Sequence, residues 1–247
     1  MSFLKDSDSG EVRYTASLGD VMPLARVVLY NLDEGHEQYT IMFEGETANT
    51  VKGMVMSLHL VAIDGHSLLL GCGYENGSIE LTMVDVASKR HSSVGYARCH
   101  NDPVFALGID TAFRTVYSAG GDNKLCVSNY MAGDQAQLVP DTERTVVLTN
   151  NGVSRLDLLP GGKVIAVAGW DFRVRLFSTE SLAPVRVLMF HRAPIMFIDH
   201  SHDTGSEATP PGYLPRAVAT RWTRRPRWLA VASQDSRISL WELEDYD

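Results

Sequence analysis

Residues 167–177 read VAGWDFRVRLF: small and apolar residues, an acid, then apolar residues alternating with arginine up to an aromatic. Alternation of period two marks a strand with two unlike faces, here Val174 and Leu176 on one and Arg173, Arg175 and Phe177 on the other. The run before Asp171 also reads as a strand, so the acid stands in the turn of a hairpin. A carboxylate at the edge of a core is tolerated only when it is hydrogen-bonded. Asp171 therefore needs a partner.

The pattern occurs four times. LLLGCGYENGSIELT (68–82), TVYSAGGDNKLCVS (115–128), VIAVAGWDFRVRLF (164–177) and WLAVASQDSRISLW (228–241) superimpose without gaps. Each holds an apolar strand, a pair of small residues, a turn Asn or Asp (Asn76, Asp122, Asp171, Asp235) and a second strand ending six residues later at Thr82, Ser128, Phe177 or Trp241. The steps between turn residues are 46, 49 and 64. Steps of about 40 to 50 residues suit the four-stranded blade of a β-propeller, and the longest step carries an insertion. PVFALGID (103–110) and GVSRLDLL (152–159) read as first strands and PVRVLMF (184–190) as a last one. No helical stripe of convincing length occurs, and the apolar runs are short and bounded by Gly, Pro, Asn and Asp. The chain reads as all-β.

With 247 residues, 45% of them hydrophobic, the chain can bury a substantial core. A net charge of −8 argues against general nucleic-acid binding, which needs a concentrated basic surface. Cys72, Cys99 and Cys126 lack CxxC spacing, which suits a reducing compartment and offers no disulfide framework. No run approaches the ~18 apolar residues of a membrane span. The opening MSFLKDSDSGEV lacks the apolar core of a signal peptide. These features predict a soluble protein of nucleus and cytoplasm.

The repeats resemble WD40 repeats, in which a His near the repeat start, a Ser or Thr in the second strand, an Asp in the next turn and a Trp closing the third strand form a hydrogen-bonded relay. On that resemblance the last repeat carries the whole set as His191, Ser233, Asp235 and Trp241. The repeat at 122 keeps His100 and Asp122 but ends at Ser128, and the repeat at 171 keeps Asp171 with Asn151 near the His position. The first has Asn76. Asp171 thus reads as a residue of the turn and strand tie.

The order of elements is similar to one WD40 family, the guanine nucleotide-binding protein subunit beta-like protein 1 group, related to fungal ASTRA-associated protein 1. The stretches that carry the resemblance are LLLGCGYENGSIEL, CHNDPVFALGID, LTNNGVSRLDLLPGGKVIAVAGWDFRVRLF, LAPVRVLMFH and SRISLWEL. It implies a seven-bladed propeller, of which this chain would hold four complete blades and a partial one in RVVLYNL and QYTIMFEG. The expected divisions are 1–58 (tail and partial blade), 59–98, 99–148, 149–190 and 191–247, the last with an inserted loop at 200–227. No outer strand follows Trp241 unless EVRYTA (11–16) or a neighbour supplies one. The resemblance further implies a scaffold without enzymatic activity, working with a co-chaperone assembly for phosphatidylinositol-kinase-related kinases or with the chromatin-regulating ASTRA complex.

Several motifs point to other chemistry. The insertion contains RAVATRWTRRPR, in which Arg216, Arg221, Arg224, Arg225 and Arg227 with Trp222 and Trp228 would suit RNA or an acidic partner, residues 214–227 being the binding segment. DHSHD (199–203) offers Asp199, His200, His202 and Asp203 as metal donors, although the sequence shows no second cluster to complete a site and no metal is assigned. GGK (161–163) lacks the rest of a P-loop, Gly-x-Ser-x-Gly is absent, and no catalytic residue or cofactor is assigned. Surface recognition remains. The turns between second and third strands share one rim and display Tyr74, Glu75, Asn123, Trp170, Phe172, Arg173, Gln234 and Arg237 as candidates for binding a protein partner.

Overall fold

The computed structural model describes residues 2–5, 12–18, 26–31, 36–42, 52–64, 66–131, 136–201 and 227–243. Among them every regular element is a strand. The first sheet holds β1 (Ser2–Lys5), β2 (Val12–Leu18), β3 (Arg26–Asn31) and β4 (His36–Met42); the second β5 (Val55–Ala62), β6 (Ser67–Tyr74), β7 (Ser78–Asp85) and β8 (Arg90–Arg98). The third holds β9 (Val104–Asp110), β10 (Thr115–Gly120), β11 (Lys124–Met131) and β12 (Gln137–Val147). The fourth holds β13 (Val153–Leu158), β14 (Val164–Gly169), β15 (Arg173–Ser178) and β16 (Pro184–Met189), and the fifth β17 (Ile195–His200), β18 (Arg227–Ser233) and β19 (Ile238–Leu243). Each is an antiparallel meander in chain order, and the inner strands β1, β5, β9, β13 and β17 pack side by side in that order. This is a β-propeller arrangement.

Among the described residues four sheets have four strands and one has three, and the three-stranded one is the last. The N-terminal segment forms four strands, a sheet that sequence reasoning saw only in part because it lacks the small-residue and acid hairpin of the other repeats. VRYTASL is its second strand, paired with β1 and β3, so it is not the outer strand of the last sheet. The second sheet begins at Val55, ahead of the expected boundary at 59.

The core is divided among the junctions. Val27 and Leu29 meet Val55, Leu58, Leu70 and Tyr74 between the first and second sheets. Leu69, Ile79 and Leu81 meet Val104, Leu107 and Ile109 between the second and third. Tyr117, Leu125 and Val127 meet Val153, Leu156 and Ile165 at the next junction, and Ala166, Val174 and Leu176 meet Ile198, Leu229 and Val231 at the last. Period-two strands buried on both faces explain why β6, β10 and β14 read as nearly continuous apolar runs. Burying one Val or Leu side chain this way contributes about 1.5–3 kcal/mol.

The far face of the fifth sheet has no such cover among the described residues. Ile238 and Leu240 stand where Val174 and Leu176 stand in the fourth sheet, yet they are 72% and 64% exposed against 1% and 0%. Phe197 and Trp228 share that face and are also exposed.

Candidate functional site

Four sheets are tied at the same corner by four different sets of side chains. In the third, His100 donates from Nδ1 to Asp122 at 2.9 Å, and its Nε2 lies 2.9 Å from Ser118 Oγ. With the Nδ1 proton on the carboxylate side, Nε2 accepts the Ser118 hydroxyl. The backbone N–H groups of Asn101 and Lys124 complete the shell of Asp122. Burial pushes the Asp122 carboxyl up, but the His100 contact and these N–H groups outweigh it and hold the group below its ordinary value.

In the fifth sheet His191 binds Asp235 at 3.1 Å through Nδ1, and its Nε2 lies 2.9 Å from Ser239, which also accepts the Trp241 indole N–H at 2.8 Å. The expected hydroxyl, Ser233, is not in this relay. It donates to the Ala193 carbonyl and accepts the Asp235 N–H, because its place just before the turn aims it along the chain. The fourth sheet answers the question posed by Asp171. Arg175 grips it with both nitrogens at 3.0 and 2.6 Å, and Asn150 donates at 2.9 Å, so the neighbour expected at Asn151 is one residue earlier. Asp171 is also held below the ordinary carboxylate value, the cost of burial being outweighed by Arg175 and Asn150. In the second sheet Asn76 shapes its own turn, accepting from the Ser78 N–H and hydroxyl, while Lys52 pairs with Glu80 at 2.9 Å and Tyr74 donates its hydroxyl to the same carboxylate at 2.7 Å.

One rule covers these ties. The residue four places after the turn Asn or Asp is Glu80, Cys126, Arg175 or Ser239, and in three of the four it is a member of the tie. Sequence reasoning missed Glu80, Arg175 and Ser239, and Ser118 four places before the turn, although fixed spacing from the turn would have found them.

The rim residues divide. Tyr74 is fully buried, which removes it from the exposed set; the second-strand end turns it into the first junction. Glu75 folds back to accept the Met54 N–H, and Asn123 donates to the Leu148 carbonyl. Trp170 and Phe172 are both 42% exposed, and the Trp170 ring leans on Phe105 with centroids 5.7 Å apart. Trp170 also lies against Gly152, whose φ of +89° and lack of Cβ let the indole close on the backbone. Phe172 takes a φ of +71° at the turn tip. Arg173 reaches Asp171 only at 3.6 Å and keeps 44% of its side chain exposed, and Gln234 and Arg237 are exposed.

Of the DHSHD segment, Asp199 and His200 close the inner strand β17, while His202 and Asp203 lie outside the described residues. His200 Nδ1 meets Asp157 of the neighbouring inner strand at 2.6 Å. Of the arginine-rich segment only Arg227 is described, as the first residue of β18; Arg216, Arg221, Arg224, Arg225 and Trp222 lie outside the described residues. No described helix is long and apolar enough to cross a membrane.

A family model described as WD domain, G-beta repeat matches residues 143–178, the segment running from the end of β12 through the Asp171 hairpin. The chain carries a WD40 repeat. Similarity to curated proteins extends well beyond that segment. It is 31% identical over 175 residues to guanine nucleotide-binding protein subunit beta-like protein 1 of Mus musculus, an alignment covering 71% of this chain and 44% of the relative. To ASTRA-associated protein 1 of Aspergillus flavus it is 28% identical over 225 residues, covering 78% and 52%. To the protein of that name in Schizosaccharomyces pombe it is 29% identical over 203 residues, covering 77% and 48%. The chain spans about half the length of the curated relatives it matches. The WD40 propeller generally serves as a non-enzymatic scaffold for protein interaction, and in this one Trp170 and Phe172 stand half-exposed together on one rim.

Proposed function

We propose that this chain is a protein-interaction scaffold in an ASTRA-type assembly, binding co-chaperone components that support phosphatidylinositol-kinase-related kinases and chromatin regulation in nucleus and cytoplasm. The observation that carries the reading is the pair Trp170 and Phe172, held half-exposed on a turn that Arg175, Asp171 and Asn150 make rigid. Aromatic side chains on a rigid support lose little entropy on binding and are the residues from which interface hot spots are built. The names of the relatives support the kind of assembly. Purification of the protein from native extract, with mass spectrometry of the eluate, is expected to recover co-chaperone and ASTRA components, and Trp170→Ala with Phe172→Ala to lose at least tenfold of them. Recovery unchanged by the double substitution would move the binding surface elsewhere, and absence of those components from the wild-type eluate would remove the assembly.

A further inference from the structure

We propose that Asp157, Asp199 and His200 form a zinc-binding site on the axial side of the inner strands, built from two neighbouring blades. The sequence offered only the DHSHD half of it. The other half is Asp157, which is remote in sequence and which the packing of β13 beside β17 brings to His200.

The placement follows from a repeated backbone irregularity. Register shifts open the inner strands between Val55 and Ser57, Val153 and Arg155, and Ile195 and Phe197. Counting two residues on from each shift gives His59, Asp157 and Asp199, so an imidazole and two carboxylates occupy one layer of the inner strands. In the third sheet the same place is Gly108, paired with Tyr117, where no side chain intrudes. The donor atoms of Asp157, Asp199 and His200 lie within 4.8 Å of one another. Asp199 Oδ1 accepts the His200 backbone N–H at 3.0 Å, which keeps its carboxylate beside the ring. His59 of the same layer forms no hydrogen bond among the described residues, and Asp157 and Arg155 are the charges it feels.

The donor set selects the ion. Two carboxylate oxygens and an imidazole nitrogen suit zinc with water in the remaining positions, whereas magnesium and calcium favour sets made of oxygen alone. The competing positive charge is Arg155, whose guanidinium is drawn over the Phe197 ring at 4.9 Å. Zinc at Nδ1 would replace the contact between His200 and Asp157, the ring keeping its proton on Nε2.

The test is competition of the metal-free protein against a chromophoric zinc chelator at pH 7.5. One zinc per chain is expected, with no displacement by millimolar magnesium. Asp157→Asn and His200→Asn each weaken binding at least tenfold, and Asp199→Asn several-fold. Zinc raises the melting temperature of the wild type but not of His200→Asn. Because Asp157 and His200 also pair with each other, loss of binding in a variant that no longer folds does not count; Asp199 is exposed, and its variant then decides. Far less than one zinc per chain, or an Asp199→Asn protein that binds and is stabilised like the wild type, overturns the site.

Discussion

His100 is almost wholly buried and spends both ring nitrogens inside the third sheet. Replacing Asp122 with Ala leaves the Nδ1 proton without an acceptor in a dry site, and a stranded buried donor costs about 1–3 kcal/mol. We expect Asp122→Ala to lower the urea midpoint accordingly, and Asp235→Ala, whose carboxylate lies at a more open corner, to lower it less. Equal effects at the two sites would mean that burial of the histidine does not set the cost. Repeat spacing gave both acids and the resemblance to WD40 repeats both histidines, yet the hydroxyl partner in the fifth sheet came out differently. Ser233 adjoins the turn and was the obvious choice, but a residue so close to the turn is directed toward its own backbone, and the group that faces the ring is Ser239 on the strand across.

At the scale of the hairpin, the residue four places after the turn Asn or Asp helps to close three of the four corners. Arg175 serves in the fourth sheet because it faces Asp171 and lies on the same side as Phe177. The alternation of RVRLF (173–177) showed this face, but it did not show that the arginine turns inward to the acid and not outward to solvent. The glycine that opens the same sheet is equally specific. A Cβ on Gly152 would collide with the Trp170 ring, at a φ that side chains avoid. Gly152→Ala is expected to destabilise by ~1 kcal/mol or more, and by clearly less in a Trp170→Ala background, where only the backbone strain remains. A full loss of stability in both backgrounds, measured by thermal unfolding, would exclude the ring as the obstacle. Partner capture by Gly152→Ala should fall as well, since the indole is displaced from the rim.

For the whole molecule, the ties set the response to acid. Asp122, Asp171 and Asp235 are all held below the ordinary carboxylate value in the folded chain, burial opposing the shift in each and hydrogen bonds to His100, Arg175, Asn150, His191 and backbone N–H groups outweighing it. A folded-state value below the unfolded one means that unfolding takes up protons. The stabilisation is therefore complete above the ordinary carboxylate range and is lost as the pH falls through the folded-state values. Denaturation midpoints should hold near neutrality and drop below about pH 4, and the triple Asn variant should show a much flatter acid limb. The radial plan was legible because strand period, turn acid and step length all pointed to the same blade. The first sheet was legible only in part, in RVVLYNL and QYTIMFEG, since β1 to β4 carry none of the hairpin marks, and the inner-strand layer was not, since His59, Asp157 and Asp199 share a layer only through packing between repeats.

The outer face of the fifth sheet, uncovered among the described residues, forms a sticky pole. Ile238, Leu240, Phe197 and Trp228 meet water on one side of one sheet, so attraction between molecules is directional. Sulfate or phosphate, which penalise wetted apolar surface, will strengthen it, and dilute urea will relax it before the blades themselves give way.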